Sequence, residues 1–189
     1  MRILLGCATL LALGGHAVAA QAPVRGDGLL LGAGVGRGWT RVTCSICRSV
    51  RGTALTANLR LGGQLLPGLV IGAEANGWMK GENDVDERMW GATAVAYWYP
   101  NRRGGLYWKG GLGLLSHRTE DDQDVFGTTA FAVQLGAGYE LGLGSRVYLA
   151  PYANVSATPF GGTLKFNGAE ILDDANLVLI QLGVGLTRR

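Results

Sequence analysis

Metal-ligating residues are scarce in this 189-residue chain, which holds three cysteines and two histidines. Cys7 and His16 fall within the first twenty residues. Cys44 and Cys47 form a CxxC that can be half of a metal site, but no second ligand pair accompanies it. His117 is the one histidine left to contribute, so no metal site and no cofactor are expected. Long apolar runs are missing too. After residue 20 no stretch reaches the ~20 residues a helical span needs, which excludes a helical membrane protein. Charge is low, and a formal net charge of +3 makes no case for a nucleic-acid partner.

The apolar start has its own explanation. Arg2 gives a short basic opening, residues 3–15 are apolar, and Ala17-Val18-Ala19 is a small-x-small cleavage pattern. That is a secretory signal peptide, expected to be removed near residue 20. The mature domain is then 21–189, a single unit by length.

Glycine is abundant, with 32 residues, more than twice the usual share of ~7%. It follows no collagen period and forms no low-complexity tract, so it must serve packed structure. The remaining pattern has a period of two. In 128–157, Phe131, Val133, Leu135, Ala137, Tyr139 and Leu141 share one parity, and Gln134, Gly136, Gly138 and Glu140 the other. After the turn signal at 142–145, Val147, Leu149, Pro151, Ala153 and Val155 oppose Tyr148, Tyr152, Asn154 and Ser156. Alternation of this kind means strands, and two long runs around a glycine turn mean an antiparallel hairpin.

The same reading extends over the chain. Strands are expected at 28–39, 52–65, 69–78, 88–99, about 106–116, 128–141, 147–157 and 175–187. The connections alternate between long (40–51, 80–87, 117–127, 158–174) and short (66–68, 100–104, 142–145). Some strand is expected at 163–166. An even count of long strands with alternating connection lengths predicts an all-β, eight-stranded antiparallel up-and-down transmembrane barrel, short turns on the periplasmic side. A soluble lipid-binding barrel would instead turn its aliphatic face inward. Two features favour lipid on that face. Trp90 and Trp98 lie eight residues apart, roughly 20 Å along a tilted strand, and with Trp108 they suggest aromatic girdles. The opposite face is mostly glycine with a few large polar groups, which suits a narrow lumen.

In architecture and pattern the mature chain resembles the small eight-stranded outer-membrane proteins of the OmpA-barrel and OmpX/Ail type. Residues 181–186, Gln-Leu-Gly-Val-Gly-Leu, are similar to the terminal strand read by the barrel-assembly machinery, although the chain ends Thr187-Arg188-Arg189 and not in an aromatic residue. The resemblance implies a bacterial outer-membrane location, outer-membrane lipid and lipopolysaccharide as surroundings, and no appended peptidoglycan-binding domain. It implies a structural, envelope-integrity or surface-interaction role through the loops, with any surface ligand unspecified.

Four charged residues fall on the expected lumen face: Arg60, Glu74, Lys109 and Glu140. Arg60 and Glu74 sit equally far from Pro67, so a symmetric turn would make them cross-strand neighbours. Unpaired charge in a narrow lumen is costly, so an ion-pair network is expected, either as a structural plug or as the gate of a small pore. Cys44 and Cys47 are expected to form a local disulfide in an exported protein. Eleven of the fourteen acids lie in the last three long connections, Asp84, Asp86, Glu87, Glu120, Asp121, Asp122 and Asp124 among them. They suggest an acidic rim, solvated or bridged by divalent cations to lipopolysaccharide phosphates. Ser116 and His117 invite comparison with a hydrolytic triad. Neighbours in a strand point to opposite faces, however, and no enzyme is expected.

Overall fold

A computed structural model describes residues 28–45, 49–82, 85–101, 103–121, 124–172 and 174–189. The expected signal peptide lies outside them. The strands are β1 (Leu29–Thr43), β2 (Val50–Leu66), β3 (Leu69–Glu82), β4 (Val85–Trp98), β5 (Leu106–Glu120), β6 (Val125–Tyr139), the two-residue β7 (Leu141–Gly142), β8 (Val147–Ala157), the short β9 (Thr163–Phe166) and β10 (Ala169–Leu172), and β11 (Asn176–Arg188). The eight long strands each pair antiparallel with the next, and β1 pairs with β11. The sheet is therefore a closed barrel with no long free edge. These strands run from 11 to 17 residues, well beyond the ~5–6 usual in soluble sheets.

The period-two pattern decides which side faces in. On β4, Trp90, Ala92, Ala94 and Trp98 point out, while Gly91, Thr93, Val95 and Tyr97 are buried. On β11, Ile180, Leu182, Val184 and Leu186 are exposed, and Leu179 and Gln181 are fully buried. Aliphatic side chains thus clothe the outside. The alternative with an aliphatic-lined cavity is not the arrangement seen.

Two expected long connections prove to be mostly strand. Glu82 pairs with Val85, so 80–87 is the tip of a β3–β4 hairpin. Glu120 pairs with Val125, so 117–127 is the tip of a β5–β6 hairpin. Both faces carry polar residues there, so the hydropathy alternation stops before the backbone ladder does. β1 also runs on to Thr43, further than expected. The connection 158–174 contains the anticipated 163–166 strand and a second, β10, which no alternation announced. Asn167 and Gly168 join the two at φ of 47° and 87°, the left-handed conformation of a tight hairpin turn. β9 then extends the sheet by pairing with Phe126–Thr129 of β6, beyond the point where β8 ends.

Glycine supplies room inside the barrel. A Cβ at Gly138 would fall on the Tyr107 ring, one at Gly183 on Tyr152, and one at Gly52 on Trp78. These three inward glycines are seats for large inward rings, small beside large, as a narrow lumen requires.

Candidate functional site

The interior is filled in three layers. At the short-turn end Leu30, Val70, Val95, Tyr97, Tyr99 and Tyr107 form one buried cluster. Tyr107 meets Tyr97 and Tyr99 at ring-centroid distances of 5.8 and 5.5 Å, the range of favourable tilted aromatic pairs. At the opposite end Trp78, Met89, Leu115, Ala132, Leu177 and Leu179 form a second cluster. Trp78 is anchored there by its indole N–H, which donates to the Gly38 carbonyl at 3.2 Å.

The middle layer centres on the Glu74 carboxylate. Lys109 Nζ reaches its two oxygens at 2.6 and 2.5 Å. The Tyr97 hydroxyl donates to Oε2 at 2.8 Å, and Oε1 accepts from Gln134 at 2.7 Å and Asn154 at 3.2 Å. Gln134 in turn accepts from Thr93 at 2.5 Å. Donors from β4, β5, β6 and β8 thus converge on one acid of β3. Both side chains of the Lys109–Glu74 pair are fully shielded from solvent. At this depth such an interaction is strong and its loss costly.

The four expected lumen charges do not form one set. Arg60 and Glu74 are paired across β2 and β3, yet the carboxylate turns to Lys109. Arg60 donates from Nη1 to the Tyr107 hydroxyl at 2.8 Å and lies 5.1 Å from the Tyr152 ring centre. Glu140 belongs to a separate group at the short-turn end. It accepts from the Tyr99 hydroxyl at 3.0 Å and from Arg189 at 3.2 Å, and Arg189 also donates to Tyr99. Arg189 folds in over the Tyr99 ring. The correction has a simple physical basis: β-pairing fixes Cα neighbours, while a long side chain chooses among partners across the lumen. Sequence pattern missed Tyr97, Tyr107, Gln134 and Asn154. Their one signal was inward parity, shared with many glycines.

Trp98 and Trp108 are direct cross-strand partners. Both are exposed on the outer wall, as is Trp90 eight residues above Trp98. Of the acids, Asp86 and Glu87 lie on β4 and Glu120 on β5, not in loops. Asp121 and Asp124 are exposed at the β5–β6 tip, while Asp84 and Asp122 lie outside the described residues. Asp86 is paired with Arg88 at 3.1 Å, and Glu120 with Arg118. Among the described residues no group of three or more metal-ligating side chains gathers. Cys44 is disulfide-bonded, and Cys47 lies outside the described residues. β5 continues through Ser116 and His117, so the two side chains leave on alternate sides. The Ser116 hydroxyl accepts from Thr129 at 2.9 Å.

No protein-family model matches the sequence, and no curated protein matches it. Among solved structures, Neisserial surface protein A (NspA) superposes over 85% of this chain and 96% of its own, at 12% identity and a TM-score of 0.59. Ail, the attachment invasion locus protein of Yersinia pestis, superposes over 86% of this chain and 99% of its own, at 16% identity and a TM-score of 0.53. At such identities the likeness is one of architecture, and it agrees with the closed ring of eight long strands: the chain has the fold of the small eight-stranded outer-membrane β-barrels.

Proposed function

We propose that this protein is an integral barrel of a Gram-negative outer membrane with a structural or surface-interaction role and no catalytic one. The observation that carries this reading is the division of faces. Leu, Val, Ile and Trp side chains cover most of the outer wall, while Arg60, Glu74 and Lys109 turn inward onto other polar groups. In water such a wall would be an aggregation surface; in hydrocarbon it is the expected one. Trp90, Trp98 and Trp108 then mark the interfaces, and Asp121 and Asp124 stand at the cell exterior. The disulfide partner we assign to Cys44 is Cys47, and thiol titration of the exported protein is expected to find neither free. Outer-membrane fractionation with heat-modifiable gel migration tests the main reading. A protein that stays dissolved in the periplasm without detergent refutes it.

A second reading, a small gated pore, draws on one observation. Arg60 Nε and Nη2 and the amides of Asn58, Asn76 and Gln181 have no protein partner although buried, and water could line that side of the lumen. Three packed layers favour the plug. In planar bilayers the purified protein is expected to give no conductance steps, and Glu74→Ala is the variant in which a gate would open.

A further inference from the structure

Three arginines, Arg37, Arg41 and Arg51, stand on the outward face of the β1–β2 hairpin, which is otherwise mostly apolar. Arg41 and Arg51 are direct cross-strand partners, which places their Cβ atoms only ~5 Å apart. Like charges opposed in this way repel and lower stability unless something of opposite sign lies between them. Among the described residues, no carboxylate comes within ion-pair distance of Arg41, Arg51 or Arg37. Arg41 spends its Nε on the Ser49 hydroxyl at 3.2 Å. On the β11 side the row of neighbours is uncharged: Val178 pairs with Arg41 and Ala157 with Val178. Asp174, the nearest acid on the connection into β11, is taken up by the Ser45 amide at 2.9 Å.

A groove of about 370 Å³ beside Arg41 and Arg51 is lined by these two together with Trp39, Thr53, Val178 and Ile180. Trp39 sits midway between Arg37 and Arg41 on the outer face of β1. A tryptophan at this place marks the water–hydrocarbon boundary. Arg37 is therefore on the membrane side of that boundary, paired with Leu55 and Leu182. A lipid-facing arginine is costly unless its stem carries the guanidinium up to a phosphate. Two opposed cations beside a mainly apolar slot, with a third on the membrane side, are complementary to a lipid with a phosphorylated head.

We infer that the groove bounded by Trp39, Arg41, Arg51, Val178 and Ile180 binds the phosphorylated glycolipid of the outer leaflet, with Arg41 and Arg51 on a head-group phosphate, Arg37 beneath them, and an acyl chain along Trp39 and Ile180. This site rests on the outer-membrane reading and adds a lipid contact fixed in position on one side of the barrel. Guanidinium forks match phosphate oxygens bidentately, which distinguishes this contact from a diffuse basic belt.

The test is native mass spectrometry of the full barrel in detergent, titrated with diphosphoryl lipid A and, separately, with phosphatidylglycerol. Wild type is expected to hold lipid A more tightly than phosphatidylglycerol. With about 1 kcal/mol per interfacial arginine, or fivefold, Arg41→Gln/Arg51→Gln should weaken lipid A binding roughly twenty-five-fold. Arg103→Gln/Arg146→Gln, at the opposite end, should bind as wild type does. Both pairs lie at exposed rim or turn positions, and an unchanged heat-modifiable band verifies their folding. Equal affinity of wild type and Arg41→Gln/Arg51→Gln overturns the site, as does equal affinity for the two lipids. A barrel that never enters the outer membrane overturns the reading beneath it as well, and fractionation alone reveals that case.

Discussion

Removing the Glu74 carboxylate tests the middle layer most directly. Glu74→Ala strips acceptors from four donor groups at once: Lys109 Nζ, the Tyr97 hydroxyl, and the Gln134 and Asn154 amides. The ammonium is the expensive one, because it stays buried with no counter-charge in contact. Breaking a buried pair from one side costs about 3–5 kcal/mol, a large part of an ordinary domain's total stability of ~5–15 kcal/mol. Lys109→Met should cost less, since the carboxylate keeps three neutral donors. The double variant Glu74→Ala/Lys109→Met removes both charges, so it should be more stable than Glu74→Ala alone. The coupling between the two positions should reach about 2–3 kcal/mol, near the upper end for contacting residues. Guanidinium titration of the barrel in lipid vesicles, followed by tryptophan fluorescence and by the heat-modifiable band, measures all three. Single losses under about 1 kcal/mol, or strictly additive losses in the double variant, would refute the placement of Glu74 as the acceptor that holds the layer together.

Gly138→Val should destabilise the barrel by at least about 1–3 kcal/mol, because the new side chain needs the volume of the Tyr107 ring. Gly77→Ala, where an added Cβ meets nothing within 4 Å, should be nearly neutral in the same titration; equal effects at both positions would undo the seating argument. Leu59→Arg, on the outer wall, should cost about 2–4 kcal/mol in vesicles if it lies near the bilayer centre. A change within ~0.5 kcal/mol, usual for a water-facing surface position, would show that this wall does not meet lipid.

The sequence carried the barrel well where one face was aliphatic and the other small or polar, as on β4, β6 and β11. There, two solvents of opposite character write themselves into alternate residues. Above the apolar band both faces are polar, and the pattern at 80–87 and 117–127 looked like loop although the backbone ladder continued. The site was legible in its parts and not in its connections. Parity put Arg60, Glu74, Lys109 and Glu140 inside, and turn symmetry placed Arg60 opposite Glu74. Which donor reaches which acceptor depends on distances across the lumen, set by strand tilt and by the volumes of Tyr97, Tyr107 and Tyr152. No local pattern encodes those. The outward arginines of β1 and β2 escaped notice because they interrupt an apolar face singly, and only the register brings Arg41 beside Arg51.

A fully apolar lumen would fill this barrel more cheaply than a buried ion pair, since well-packed hydrophobic residues often match or exceed such pairs in stability. The polar middle layer supplies something an apolar one lacks. With aliphatic residues on both faces, a strand could slip by one residue against its neighbour and lose little, because either face would be acceptable to lipid. Here a one-residue slip of β3 would turn Glu74 outward into hydrocarbon, and a slip of β5 would do the same to Lys109, each at the cost of an unpaired charge in the membrane. The Glu74 cluster collects donors from β4, β5, β6 and β8, so it penalises misregister in five of the eight long strands. Its contribution is better placed in the gap between the native register and its neighbours than in the stability of the native barrel alone.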